Sequence, residues 1–326
     1  MDFLIVGAGM AGLLAARTLS QRQHSVLVVD KGRSVGGRLA TRRLGGGQAD
    51  TGAQFFTART ELFRQSVDAW EKEGWIYLWS HGWADGAGQP QMDGHPRYAA
   101  RGGMNALAKS LARPLTVQLA VKITSLSPVR DGWQVLDAEG RIFTARAVLL
   151  TPPVPQAVTF VETGRTPLRA ADLEILRAIH YAPCLAGLYV LDRPTTLPEP
   201  GGLQNLSPQV AWVADNQRKG LSPEASVLTV HASAEFSLAH YRDDEAEVLA
   251  ALWADVQPWL GPAVVKEQGL KRWRYAQPTA TYAERCLVAG GVPPLVFAGD
   301  GFGEPRVEGA ALSGLAAAEA LAGLLR

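Results

Sequence analysis

Cysteine is scarce: Cys184 and Cys286 are the only two in 326 residues. Two thiols exclude a disulfide scaffold in a chain this long, so the fold must rest on an ordinary core, and a reducing cytoplasm is the expected compartment. Excess charge of either sign is also lacking. The 32 Lys and Arg stand against 31 Asp and Glu, with no run of like charges. That balance argues against nucleic acid or a membrane surface as a partner held by bulk electrostatics. The histidines, His24, His81, His95, His180, His231 and His240, show no ligand-like spacing with the cysteines, so no metal is expected. No Ser-His-Asp or Cys-His constellation is evident, and there is neither an internal repeat nor a low-complexity tail.

Long apolar runs are few. Met1–Ser20 is apolar but carries Asp2 where a signal peptide needs a basic residue. Gly309–Leu325 contains Glu319, is short for a membrane span, and suits a buried helix.

The chain does have a strand, glycine turn, helix, strand and acid in succession. Asp2–Val6 is apolar, Gly7-Ala8-Gly9-Met10-Ala11-Gly12 follows, then a helix-forming stretch, then Ser25–Val29 and Asp30. Lys31–Gln54 reads as loop, Thr60–Gly74 as helix, and Trp75, Tyr77, Trp79 and Trp83 as one aromatic face of a strand. Asp85–Pro96 reads as a Gly/Pro loop and Gly103–Ala112 as helix. Strands are expected over Thr116–Leu126, Gly132–Asp137 and Phe143–Thr151, with a turn at Ser127–Asp131. Cys184–Leu191, Gln209–Val213 and Ser226–Ala232 are β-rich, and the chain closes with a strand at Leu295–Ala298 and a helix over Glu308–Leu325.

The spacing of the first motif fits a dinucleotide. Gly7 permits the tight turn, Gly9 lets backbone approach a pyrophosphate, and Gly12 lets helix pack on strand. The helix N-terminus offers unpaired N–H groups to phosphate. Asp30 stands where an acid accepts ribose hydroxyls and repels a 2′-phosphate, so the nucleotide should not be NADP. Lys31–Arg38, with Gly36 and Gly37, suits a loop along the pyrophosphate with Arg38 as counter-charge. In Asp50–Phe56 the pair Phe55-Phe56 can border a planar ring or simply pack in the core. Near the end, Gly299-Asp300 can meet ribityl hydroxyls, and the helix beginning around Arg306, Val307 and Ala310 can stabilise negative charge on a reduced flavin.

Together these stretches resemble the flavin-containing amine oxidase superfamily, and within it bacterial renalase-like proteins. The likeness lies in VGAGMAGL, DKGRSVGGRLATRR, DTGAQFFTAR, RGGMNALAK, KRWRYAQP and AGDGFGEPRVEGAALSGLAAAEAL, covering both ends of the chain well and the centre thinly. The resemblance implies an α/β fold: a Rossmann-type FAD-binding domain with an inserted α+β substrate domain, like p-hydroxybenzoate hydroxylase. The expected division is 1–57, 98–154 and 272–326 for FAD, and 58–97 with 155–271 for substrate. It implies non-covalent FAD with contacts at Ala11, Asp30, Arg38, Gln54, Phe55, Val121, Asp300 and Val307, to which the fingerprint adds Met10. It implies oxidation of 2- and 6-dihydro isomers of NAD(P)H, with oxygen reduced to hydrogen peroxide. Lys271 stands before Arg272-Trp273 where close bacterial relatives have histidine, and Gln277 where arginine is common; both departures bear on substrate more than cofactor.

A dihydronicotinamide loses hydride without first losing a proton, so geometry and dryness matter more than an acid–base dyad. Trp212, Asn216, His231, Trp273 and Tyr275 are the pocket candidates, each with core packing as the plainer alternative. The rival readings are a flavin amine oxidase, or another FAD-dependent small-molecule dehydrogenase, and a flavin-binding regulatory protein with little turnover. Nothing in the stretch ERCLVAGG around Cys286 marks a covalent linkage.

Overall fold

The computed structural model describes residues 1–325; Arg326, the last residue of the expected FAD domain, lies outside them. The chain forms two compact units, one of Met1–Gly37, Ala108–Tyr181 and Pro278–Arg326, the other of Arg38–Leu107 and Ala182–Gln277.

The first unit is built on a parallel sheet. Its strands run in the order Leu287–Val288, Leu295–Phe297, Ala147–Leu150, Phe3–Val6, Val26–Val29, Val117–Gln118, and only the Leu287–Val288 edge is antiparallel. The central strands are short, uninterrupted apolar runs and are buried, as a sheet covered on both faces requires. The opening helix, Met10–Gln21, packs against the final helix, Arg306–Leu324. A Cβ at Gly314 would lie 2.2 Å from the Ala11 carbonyl oxygen, so glycine is what allows the two helices to approach. The final helix is long and apolar enough to pass for a membrane span, yet ten of its residues, from Glu308 to Ala322, are buried.

Phe143–Thr151 is not one strand. Ile142–Ala145 alternates exposed and buried residues and pairs antiparallel with Gly132–Asp137, whereas Ala147–Leu150 is wholly buried and pairs in parallel with Phe3–Val6. The turn expected over Ser127–Asp131 is tighter, because Ile123–Val129 continues to Val129 against Gly132. Helices Val154–Thr163 and Ala170–Arg177 bury Val158, Val161 and Leu176 with Leu126 and Trp133. That shared core places 155–181 in the first unit, away from the division expected from sequence.

The second unit carries a seven-stranded sheet in the order Val265–Ala280, His180–Leu191, Val227–Ala232, Val210–Asp215, Gly202–Gln204, Ile76–Ala84, Pro90–Ala100. Two expected loops prove to be strands. Residues 31–54 contain the hairpin Thr41–Leu44 with Gly47–Asp50, turning through Gly45 and Gly46 at positive φ. Its Leu44 and Ala49 pack with Leu188, Val190 and Val227, which carries 38–57 into the second unit. Residues 90–100 form an edge strand paired with Ile76–Ala84; prolines and exposed polar groups are tolerated at an edge. Helix Glu61–Lys72 starts at Thr60, whose hydroxyl accepts the Phe63 N–H, and buries Phe63, Val67 and Trp70 at helical spacing. Phe56 stacks on Tyr98 and meets Phe63 and Trp70, so it is core.

Candidate active site

In the first unit the site is made by backbone. Gly7 has φ +107, and a Cβ there would meet Thr151 Oγ1 at 2.3 Å. A Cβ on Gly12 would meet the Gly7 carbonyl oxygen at 2.0 Å. The turn and the packing therefore dictate both glycines. Gly9 differs: it caps the opening helix with no side-chain hydrogen bond, and a Cβ on it would find nothing within 4 Å. Space is thus left open at a helix N-terminus whose first turn is Met10-Ala11-Gly12, the arrangement that receives phosphate.

Asp30 ends the second strand with its carboxylate held from two sides. It accepts the Ala8 N–H at 2.7 Å and the Gly32 N–H at 2.6 Å, while its carbonyl accepts from buried Val121. Each carboxylate oxygen keeps a lone pair for a hydroxyl. The next loop folds back on the turn through a Gly36 N–H to Ala8 carbonyl bond of 2.8 Å, and a Cβ on Gly37 would lie 3.8 Å from Gly9 Cα. Lys31 donates to the Gln156 side chain at 2.7 Å. Across the sheet, the Gly299 N–H donates to Ser313 Oγ at 2.8 Å, and Asp300 follows, 7% exposed. The final helix begins at Arg306, whose φ of +82 is unusual for a side chain of its size. No side-chain hydrogen bond caps it; Val307 and Ala310 lie half-buried in its first turn. Two uncapped helix N-termini, an anchored acid and an unfilled glycine position fit a dinucleotide.

In the second unit the expected pocket residues converge on one segment, Asp50–Phe55. Asn216 Oδ1 accepts the Asp50 N–H at 3.3 Å, and its amide donates to the Val227 carbonyl and Thr229 Oγ1, both at 3.0 Å. Thr229 Oγ1 donates in turn to the Asp50 carbonyl at 2.9 Å. Trp273 Nε1 donates to the Thr51 carbonyl at 2.7 Å. The His231 ring is also hydrogen-bonded to the Thr51 backbone, but burial, with the Lys219 charge adding to it, holds its pKa down at about 4. His231 is therefore neutral at neutral pH, and its Nε2 is buried without a partner. Trp212 packs on Phe55 and Trp83, with ring centroids 5.4 and 4.9 Å away. Tyr275 enters through its backbone: Arg38 donates to its carbonyl at 3.4 Å and to that of Ala276 at 3.1 Å.

Sequence reasoning missed the buried cations of this network. Lys219 is fully buried; its Nζ donates to Asp50 Oδ2 at 2.7 Å and to the Gln54 carbonyl at 2.6 Å, and lies 4.8 Å from the Trp79 ring centroid. Burial drives the ammonium pKa down while the Asp50 carboxylate opposes that. Asp50 Oδ1 accepts from Thr41 Oγ1 at 2.5 Å and the Met104 N–H at 2.9 Å. The Tyr77 hydroxyl donates to the Lys219 carbonyl, and its pKa is raised to about 12, first by burial and then by Asp50. Arg97 grips Asp93 with two hydrogen bonds and lies over Phe55 and Trp83 at 5.9 and 5.6 Å. The aromatic spacing of Trp79 and Trp83 was a visible signal; nothing near Lys219 announced its burial. Among the described residues six buried side-chain polar atoms have no partner, and five belong here: Gln54 Oε1, Trp83 Nε1, Arg97 Nε, Trp212 Nε1 and His231 Nε2. Five such atoms in one aromatic cluster call for partners from outside the protein, water or a bound molecule, which makes the cluster the candidate for a polar ligand. The cysteines lie outside the network; burial raises both thiols, Cys184 to about 12.

Residues 5–70 match the model of the NAD(P)-binding Rossmann-like domain, and residues 78–322 that of the flavin containing amine oxidoreductases. The chain belongs to the flavin containing amine oxidoreductase family. Its cofactor is FAD, which the first unit's cradle fits. The AofH protein of Mycobacterium tuberculosis (strain ATCC 25618 / H37Rv), which bears the name flavin-containing monoamine oxidase, is 49% identical over 55 residues. That match covers 17% of this chain and spans only 12% of the relative's length. A putrescine oxidase solved with putrescine bound superimposes with a TM-score of 0.72 over 98% of this chain and 99% of its own, at 16% identity. A fatty acid isomerase from P. acnes gives 0.71 over 100% and 99%, at 11% identity. At such identities the likeness is one of fold. An oxidase and an isomerase share it, so the reaction has to be read from the site.

Proposed function

We propose that this protein is a renalase-like, FAD-dependent oxidase of dihydronicotinamide dinucleotides. Its substrates are the 2- and 6-dihydro isomers of NAD(P)H, and its net reaction is dihydronicotinamide plus O2 plus H+ giving the oxidised dinucleotide plus H2O2. FAD, when bound, accepts the hydride and passes two electrons to oxygen. Gly7, Gly9, Gly12 and Asp30, with the N-terminal turn of the final helix, would hold it.

One observation supports this reading over amine oxidation. The aromatic cluster Phe55, Trp79, Trp83 and Trp212 already carries two buried cations, Arg97 and Lys219, and the nearby carboxylates Asp93 and Asp50 are spent on them. A protonated amine brought there would meet like charge and no free anion. A dihydronicotinamide brings a neutral ring to stack and a carboxamide oxygen for the unpartnered indole N–H groups of Trp83 or Trp212. The dihydronicotinamide enters uncharged and so meets no repulsion on binding; the cationic product does meet Arg97 and Lys219, which favours its release, and His231, held neutral, adds nothing to that repulsion. The amine-oxidase reading draws its support from the family and from the name of the AofH relative.

Anaerobic stopped-flow bleaching of the flavin tests the proposal. Rapid bleaching by 2- or 6-dihydronicotinamide dinucleotides, and slow bleaching by amines, is expected. Bleaching by amines alone transfers the case to amine oxidation, and none by any reductant leaves a flavin-binding regulatory protein.

A further inference from the structure

We infer that the buried Asp50–Lys219 pair is a positioning device, which braces the segment Asp50–Phe55 so that Gln54 and Phe55 are held in the one conformation the redox reaction needs. The inference rests on the flavin-oxidase reading for what the segment serves, and on geometry for how it is held.

The brace is visible bond by bond. Lys219 Nζ joins the two ends of the segment, the Asp50 carboxylate and the Gln54 carbonyl. The Gln54 amide nitrogen donates back to the carbonyls of Asp50 at 2.6 Å and Gly52 at 3.1 Å. The Thr51 carbonyl is taken by Trp273. The Ala53 N–H donates to the Arg38 carbonyl at 2.9 Å, and a Cβ at Gly52 would lie 1.9 Å from that same oxygen. With its nitrogen committed twice, Gln54 can present only Oε1, which is buried and unpartnered. Phe55 follows directly, against Trp79, Trp83 and Trp212.

A buried ion pair is a weak way to gain stability, since an apolar pair of similar volume often does as well. Here it fixes orientation through its hydrogen bonds, because Lys219 Nζ ties the Asp50 carboxylate and the Gln54 carbonyl to one point and, fully buried, has no water as an alternative partner. Lys219 needs no contact with substrate for this. It acts through Gln54 and Phe55.

The test uses the FAD-loaded protein with Lys219→Met, Asp50→Asn, the two combined, and Lys219→Arg. Each charge-removing single variant strands a buried charge and is expected to lose stability; the double variant removes both charges. The double variant should fold with a near-native circular dichroism spectrum and retain FAD, with its flavin absorption bands displaced. Its limiting rate of anaerobic bleaching should fall on the order of 100-fold, while KM changes by less than about threefold, the signature of lost orientation rather than lost binding. Lys219→Arg, which keeps charge but not shape, should recover folding and only part of the rate. A double variant with wild-type bands and wild-type bleaching overturns the inference. If the double variant does not fold, Lys219→Arg decides: wild-type bands and rate overturn it. Should dihydronicotinamides fail to bleach the wild-type protein, the function proposed above falls, and the flavin bands of the variants still decide the role of the pair.

Discussion

The two units build their candidate sites from different materials. The first uses backbone: glycines that cannot bear a side chain, two helix N-termini, and one acid tied down by main-chain N–H groups. The second uses side chains buried far from their sequence neighbours, with a lysine and an arginine set among aromatic rings. A backbone cradle tolerates surrounding change as long as its glycines stay. A side-chain network is cooperative, because each member satisfies another and removing one leaves a buried group stranded.

The largest effect that would sharpen this contrast is in the second unit. Lys219→Met should cost about 3–5 kcal/mol in urea unfolding, since it abandons the Asp50 carboxylate in a dry interior. The Lys219→Met/Asp50→Asn double variant should recover most of that. Strictly additive losses in the double-mutant cycle would break the picture of a coupled network.

Next comes Gly9→Leu in the first unit. Its Cβ position is open, so the protein should fold with an unchanged melting temperature in the absence of FAD. FAD affinity, followed by fluorescence, should fall about 100-fold, equivalent to about 2.7 kcal/mol. A yellow protein with native affinity would show that the cradle is not where the pyrophosphate lies.

A smaller effect is expected from pH. The pKa of His231 is depressed from 6.5 to about 4 in the folded protein. Between those values the unfolded chain binds more protons, so stability should be fully present above pH 6.5 and decline as pH falls toward 4. His231→Gln should flatten that part of the stability–pH curve. An unchanged slope would mean that the ring titrates normally.

The smallest is Trp83→Phe. The lost indole N–H has no partner in the protein, but the smaller ring leaves space among Phe55, Trp79 and Trp212, so stability should fall by about 1–2 kcal/mol. KM for a dihydronicotinamide should also rise, by about tenfold for one lost hydrogen bond. An unaltered KM removes Trp83 from carboxamide recognition.

The same contrast explains what could be read from the sequence. Gly7, Gly9, Gly12 and Asp30 carry their meaning in local spacing, and Phe3–Val6, Met10–Gln21 and Val26–Val29 fall where the pattern puts them. The hairpin at Thr41–Asp50 escaped notice because Gly45–Gly47 mark a turn and a loop alike, and its first strand, TRRL, does not alternate. Pro90–Ala100 escaped because an edge strand needs no apolar alternation to pair. Trp212, Asn216, His231 and Trp273 could be named as candidates, but not their meeting at Asp50–Phe55. Lys219 meets Asp50 across 169 positions and Trp273 meets Thr51 across 222. No short-range pattern encodes such a distance; the order of strands in the second sheet, with the hairpin Thr41–Asp50 packed on it through Leu44, Leu188, Val190 and Val227, brings those residues together.

That order has a counterpart in the first sheet with a consequence for how the molecule comes into being. Ala147–Leu150 lies between Phe3–Val6 and Leu295–Phe297, so two strands from distant parts of the sequence share a neighbour that lies between them in the chain. A ribosome emitting the chain delivers the glycine turn early but cannot deliver a finished parallel sheet until some 290 residues later. From the moment Ala147–Leu150 is made until Leu295–Phe297 emerges, one rim of that strand stays unpaired, and an unpaired apolar edge is open to aggregation.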